Sequence, residues 1–123
     1  MDAKPYMLTA HPDLQGIFVQ TDTPTLGAVR AIEAAHRGNT VLLPAFDGVP
    51  EFIDLIRQGK IVASGMHQPY LMGVRSAQAI FDHLDGKTPP REILVLIIVV
   101  SQKKHDEELP TITQTVFANE LKK

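Results

Sequence analysis

Eight consecutive large apolar residues, Ile93, Leu94, Val95, Leu96, Ile97, Ile98, Val99 and Val100, constrain this chain more than any other stretch. The run is far short of the roughly 20 residues a membrane span requires. Its length and lack of polar alternation read as a strand buried on both faces. Each such side chain loses about 1.5–3 kcal/mol when left in water, so exposing half of the run costs about 6–12 kcal/mol, which rivals the stability of a whole domain. A strand from Glu92 to Val100 is therefore expected to pair on its edges and to be covered on both sides.

Three shorter units precede it. Gly16 to Gln20 reads as a strand, and Thr21-Asp22-Thr23-Pro24 as a strand-to-helix junction with Thr23 as N-cap and Pro24 at the first helical position. Leu26, Val29 and Ile32 then share one helical face, with Gly38 as the stop. Val41 to Leu43 is a second strand. Val49, Phe52, Ile53 and Ile56 carry the spacing of a helix packed on a sheet, opened by Pro50 and closed by Gly59. Ile61 to Met66 is a third strand. From Pro69 to Leu84, the residues Tyr70, Val74, Ala77, Phe81 and Leu84 fall on one face of the longest helix, which leaves through Asp85-Gly86. The order β-α-β-α-β-α-β defines an α/β fold, a parallel sheet with helices on both faces. At the ends, Lys4 to Ala10 reads as the tail of a helix, Lys103 to Leu109 as a short polar helix, Thr111 to Phe117 as a last extended segment, and the final ANELKK as a frayed tail. Phe18, Tyr70 and Phe81 read as core.

A chain of 123 residues with 44% apolar residues, 21% charged residues and a formal charge of −2 fits one soluble globular domain. No basic stripe supports nucleic-acid binding. Cysteine is absent, which removes disulfides and thiolate chemistry. Five histidines are scattered without metal-ligand spacing, and neither a nucleophile elbow nor a phosphate-binding glycine loop occurs, so the residues call for no metal, no cofactor and no catalysis. The N-terminus shows no basic segment followed by an apolar core, so no signal peptide is expected in this chain.

The chemistry concentrates in Thr40 to Pro50, TVLLPAFDGVP. In open α/β sheets, ligands sit beyond the carboxyl ends of the strands. Phe46, Asp47 and Gly48 stand at such an end, where a fixed carboxylate can accept two hydroxyl hydrogen bonds. Asp47 serves equally well as an opener of the following helix, and Asp22 stands in the same position one unit earlier. The residues alone leave both roles open.

Several stretches together carry a resemblance: Met7-Leu8-Thr9-Ala10-His11-Pro12-Asp13-Leu14-Gln15-Gly16, Gln20-Thr21-Asp22, Leu26-Gly27-Ala28, Phe46-Asp47-Gly48, Gln68-Pro69-Tyr70 to Met72-Gly73, and Leu84-Asp85-Gly86-Lys87. Six elements in this order resemble the C-terminal part of type I periplasmic sugar-binding proteins, the ribose- and galactose-type receptors of ABC importers. The resemblance implies a periplasmic-binding-protein-like fold of two α/β lobes closing over a sugar. It implies a ligand site at Thr21, Asp22, Phe46, Asp47, His67 and Gln68. Thr21 replaces the family's usual asparagine. His67 stands where the hinge glutamine is expected, with Gln68 as the candidate if the register differs by one.

The resemblance also implies an organisation. Residues 1–67 correspond to the C-terminal lobe, 68–100 to a segment crossing to the N-terminal lobe, and 101–123 to a crossing segment and tail, so the chain is expected to be the latter portion of a longer fold. Its implied partners are a small sugar-type ligand, an ABC permease in the parent protein and, because of the apolar run, a second copy in a homodimer; no nucleic acid and no membrane insertion are expected. The implied location is the periplasm. An effector-binding fragment of a lac repressor-type regulator shares the fold and is the alternative. A receiver-like phosphoacceptor using Asp47 and Asp22 is disfavoured because no lysine stands at the end of the last strand until Lys103.

Overall fold

The computed structural model describes residues 4–118. Helix α1 (Lys4–Ala10) leads through a turn to α2 (Asp22–Ala34), then β1 (Pro44–Phe46), α3 (Glu51–Arg57), β2 (Ala63–Met66), α4 (Pro69–Leu84), β3 (Ile98–Ser101) and α5 (His105–Thr115). β1 and β2 pair in parallel, Pro44 opposite Ala63 and Phe46 opposite Gly65. The expected first strand is present as two isolated parallel bridges to the β1 segment, Gly16 with Leu42 and Val19 with Ala45. Period-2 alternation there turns Ile17 into the core and leaves Phe18 in water, against the expectation that Phe18 is core.

β3 closes the sheet antiparallel to β2, so the sheet is mixed rather than parallel throughout. Register explains why only the end of the apolar run is paired. Met66, the last residue of β2, lies opposite Ile98, so residues before Ile98 run past the end of β2 and find no ladder partner. Val100 alone of the eight is fully buried; Leu94 and Leu96 are 81% and 80% exposed. The two-sided cover expected for residues 93–100 is thus absent from 93–97.

The core lies between the sheet and two helix groups. α1 packs on α2, α2 on β1, α3 on α5, and α5 on β3. Leu43, Phe52, Ile56, Ile61, Met66, Val100 and Ile112 are its largest fully buried apolar side chains. The Arg37 guanidinium ties the turn after α1 to the end of α2 by donating to the carbonyls of Leu14 (2.6 Å) and His11 (3.3 Å).

Helix limits differ from expectation at three places. α2 begins at Asp22 with Thr21 as N-cap, and it stops at Ala34, where His36 takes a left-handed φ of 54° before Gly38 is reached. The polar segment after Lys103 and the segment expected to be extended form one helix, α5, which continues through Pro110. Ile112 and Thr115 are buried there, so tertiary packing overrides the local helix-breaking signal. α4 has the expected limits, yet every member of its apolar stripe is exposed, including Tyr70 and Phe81, which the sequence places in the core. The reading of the tail as frayed falls on residues 119–123, outside the described residues, apart from exposed Ala118.

Candidate functional site

The carboxyl ends of β1 and β2 and the first turn of α2 converge on one cleft of about 370 Å³, lined by Asp22, Asp47, Gly48, His67, Pro69, Met72 and Val116. Its size lies within the range of small-molecule sites. Asp47 is held by its backbone on two sides: its N–H donates to the Gly65 carbonyl (2.9 Å), and its own carbonyl accepts from the buried Ser64 hydroxyl. This clamp fixes a φ of 66°, a left-handed conformation that aspartate tolerates better than most residues. The Asp47 carboxylate is thereby directed into the cleft on a rigid turn. Gly48 follows because a Cβ there would lie 2.9 Å from the Met66 sulfur, which fills the floor of the turn.

Asp22 enters from the first turn of α2. Its Oδ1 is buried and has no hydrogen-bond partner in the protein. Burial, and then the facing carboxylates of Asp47 and Glu51, hold Asp22 above the ordinary carboxylate range. A helix N-terminus favours a carboxylate; here desolvation and like charge outweigh that preference. His67 Nε2 stands 3.7 Å from Asp47 Oδ1, longer than a direct hydrogen bond. The imidazole is oriented instead by the Phe46 ring, which meets it edge-on at 4.9 Å between centroids. The Phe46 ring in turn lies against Gly65, where a Cβ would be 3.1 Å from it.

Of the residues singled out from the sequence, Asp22, Asp47 and His67 meet in the cleft, and Phe46 backs His67 without lining it. Thr21 is the N-cap of α2 and is not among the cleft's lining residues; its backbone carbonyl accepts from the Thr25 amide and the Thr25 hydroxyl (2.7 Å). Gln68 is buried and donates from Nε2 to the Leu96 carbonyl (2.8 Å), which pins the extended segment before β3 to the start of α4. Sequence reasoning misses Val116, because nothing in the local sequence tells that the end of α5 returns to the cleft. Pro69 and Met72 also line it, and both lie within the Gln68 to Gly73 stretch that carries part of the resemblance. Among the described residues no group of three acidic or histidine side chains is arranged to hold a metal ion. A second cleft, of about 240 Å³ between Val29, Glu33, Asn39 and Lys60, lies at the amino ends of β1 and β2, away from the converging carboxylates.

Two carboxylates and an imidazole gather at the carboxyl ends of parallel strands, the place where open α/β folds take their ligands. The Periplasmic binding protein domain family matches residues 6–88, and the chain belongs to that family. The ribose import binding protein RbsB of Salmonella typhimurium is 35% identical over 81 residues, covering 66% of this chain and 27% of that protein. RbsB of Escherichia coli is 34% identical over 97 residues, covering 78% and 32%. Among solved structures, an ABC transporter periplasmic solute binding protein from Actinobacillus succinogenes with bound D-allose superposes with a TM-score of 0.82 at 26% identity, covering 86% of this chain and 37% of that one. The periplasmic binding protein of the arabinose ABC transporter from Shewanella, bound to α- and β-L-arabinofuranose, gives 0.78 at 28%, covering 92% and 39%. The chain spans less than a third of the length of the two RbsB relatives. No helix among the described residues is long and apolar enough to cross a membrane.

Proposed function

We propose that this chain carries part of a sugar site and binds a sugar or related polyol without catalysis, as solute-binding material of an ABC importer in the periplasm. The observation that carries this reading is the pairing of Asp47 with Asp22, whose buried oxygen has no protein donor. Ionised carboxylates are acceptors only. A ligand rich in hydroxyl donors supplies what the cleft lacks, whereas an anionic ligand would add a third negative charge. Asp22, Asp47 and His67 are the proposed direct contacts, with Phe46, Thr21 and Gln68 as the supporting set. The division into residues 1–67, 68–100 and 101–123, the ABC permease partner and the homodimeric state belong to the same proposal.

The relatives' names point to D-ribose, D-allose and L-arabinose as first ligands to try. Titration of each sugar into the 123-residue chain, followed by amide chemical shifts, should give saturable changes at Asp22, Asp47, Gly48 and His67 for at least one. Affinity is expected to be weak, because one face of a cleft leaves the ligand partly solvated. Asn tolerates the left-handed φ of residue 47, so Asp47→Asn keeps the turn and removes the charge; it should weaken binding by roughly 10-fold or more, the equivalent of a lost charged hydrogen bond. Shifts confined to other surfaces, or an Asp47→Asn chain that binds as well as the native one, would contradict the proposal.

A further inference from the structure

Ser64 is a polar residue at a position where the sheet calls for an apolar one. It is fully buried in β2, on the same strand face as Met66, and its register sets it between Ala45 of β1 and Val100 of β3, both buried. A buried hydroxyl costs free energy unless it is hydrogen-bonded. The Ser64 hydroxyl donates to the Asp47 carbonyl, across the sheet and at the edge of the cleft. Asp47 meanwhile has a competing use for its carboxylate. Helix α3 opens after Pro50 without a side-chain cap. An aspartate just before such a helix ordinarily accepts from the amide two residues on, here Val49, with its own backbone in the β region. At φ 66° Asp47 is kept out of that geometry, and its side chain lines the cleft instead.

We infer that Ser64 is a positioning residue of the cleft, whose hydroxyl holds Asp47 as a ligand acceptor and withholds it from capping α3. The reason lies in the planarity of the peptide unit. The Asp47 N–H, bonded to the Gly65 carbonyl, fixes the plane before its Cα; the Asp47 carbonyl, bonded to Ser64, fixes the plane after it. Together the two bonds set both backbone dihedrals, and so the direction of the carboxylate. A left-handed φ is unfavourable for a residue with a side chain, so it persists only while both planes are held. Without the Ser64 hydroxyl the second plane is free to turn, and the carboxylate can swing from the cleft to the Val49 amide. The contact is made by a buried side chain of β2 and the turn after β1, so it does not depend on what covers the arm from Pro69 to Ile97. Its consequence for binding rests on the sugar reading of the same cleft; its cause rests on backbone geometry alone.

The deciding experiment is NMR of the 123-residue chain and its Ser64→Ala variant, which loses one oxygen and keeps the packing. Without ligand, the native chain should show a strong intraresidue amide-to-Hα NOE at Asp47, the mark of a positive φ, and a Val49 amide indifferent to titration of the Asp47 carboxyl. In Ser64→Ala the NOE should fall to the level of the neighbouring strand residues, and the Val49 amide should follow that titration. Ser64→Thr, which keeps a hydroxyl, should restore both. Titrated with D-ribose, D-allose and L-arabinose, Ser64→Ala should bind roughly 10-fold or more weakly than the native chain, as for a lost charged hydrogen bond. The double variant Ser64→Ala with Asp47→Asn should match Asp47→Asn alone within about 2-fold, because Ser64 acts through residue 47. A native chain without the Asp47 NOE, an NOE that survives in Ser64→Ala, or single effects that multiply in the double variant would each overturn the inference. Should the threonine methyl disturb the packing against Ala45 and Val100, the NOE and the double variant decide without it. A native chain that binds none of the three sugars would refute the sugar reading, while the ligand-free NOE still decides the role of Ser64.

Discussion

Residues 15–66 with β3 and α5 and the arm from Pro69 to Ile97 have similar apolar content but opposite fates. In the first region, Phe52, Ile56 and Ile61 on and beside α3 are fully buried, because β1, β2 and α5 close around them. In the arm, Phe81 and Leu84 are 62% and 74% exposed on a helix with an equally regular stripe. The difference is not one of sequence pattern. It is that β2 ends at Met66, so the segment leading to β3 overshoots the sheet, and α4, which touches α5, has no sheet layer covering its apolar stripe. Amphipathic periodicity specifies a face that needs cover; only topology decides whether the same chain supplies that cover. The cleft lies at the junction, where Asp22 and Asp47 come from the packed region and Pro69 and Met72 from the arm.

The largest expected effect separates the two regions directly. Phe52→Ala should cost about 3–5 kcal/mol in urea unfolding, as a fully buried aromatic truncation does. Phe81→Ala, at an exposed position of α4, should stay within about 0.5 kcal/mol. Equal losses would erase the distinction. Next comes the contact between the regions. A Cβ at Gly65 would stand 3.1 Å from the Phe46 ring and 3.3 Å from Ile97 Cγ2. Gly65→Val should therefore destabilise by about 1–3 kcal/mol through overpacking and shift the His67 and Ile97 resonances together. Unmoved Ile97 signals would show that the arm is not seated there.

The smallest effect is electrostatic. Asp22 is held above the ordinary carboxylate range in the folded chain, so the folded state takes up its proton more readily than the unfolded one. The associated stability is complete below the unfolded value and is lost as pH rises through the raised one. Asp22→Asn should accordingly raise thermal stability at neutral pH by less than about 1 kcal/mol and add nothing once Asp22 is protonated. A gain that persists or grows in acid would contradict the assigned cause. The same variant should weaken sugar binding at neutral pH, which separates the stabilising from the functional consequence.

Much of this is legible in the residues. The strand-helix alternation, the limits of α4 and the motif Phe46-Asp47-Gly48 are readable because each rests on local spacing or turn chemistry. The convergence of Asp22 with Asp47 follows once equivalent positions in successive units are recognised. What the residues do not disclose is long-range. The antiparallel approach of β3 depends on where β2 stops, and α5 persists through Pro110 because Ile112 and Thr115 are buried against the rest of the fold. Gln68 is a candidate ligand contact by its place in the sequence, yet its side-chain amide donates to the Leu96 carbonyl, a choice only the folded chain reveals.

Amide hydrogen exchange of the native chain, measured at a low and a high chain concentration, tests the contrast between packed region and arm most directly. The amides of Phe46, Asp47 and Val62, bonded to Val19, Gly65 and Leu43, should exchange slowly at both concentrations. Those of α4, such as Met72 bonded to Gln68, should exchange faster at the lower concentration, because no residue of α4 is buried. α4 amides that exchange as slowly as those of the sheet at the lower concentration would show that the arm is as stable as the packed region, and would contradict the account.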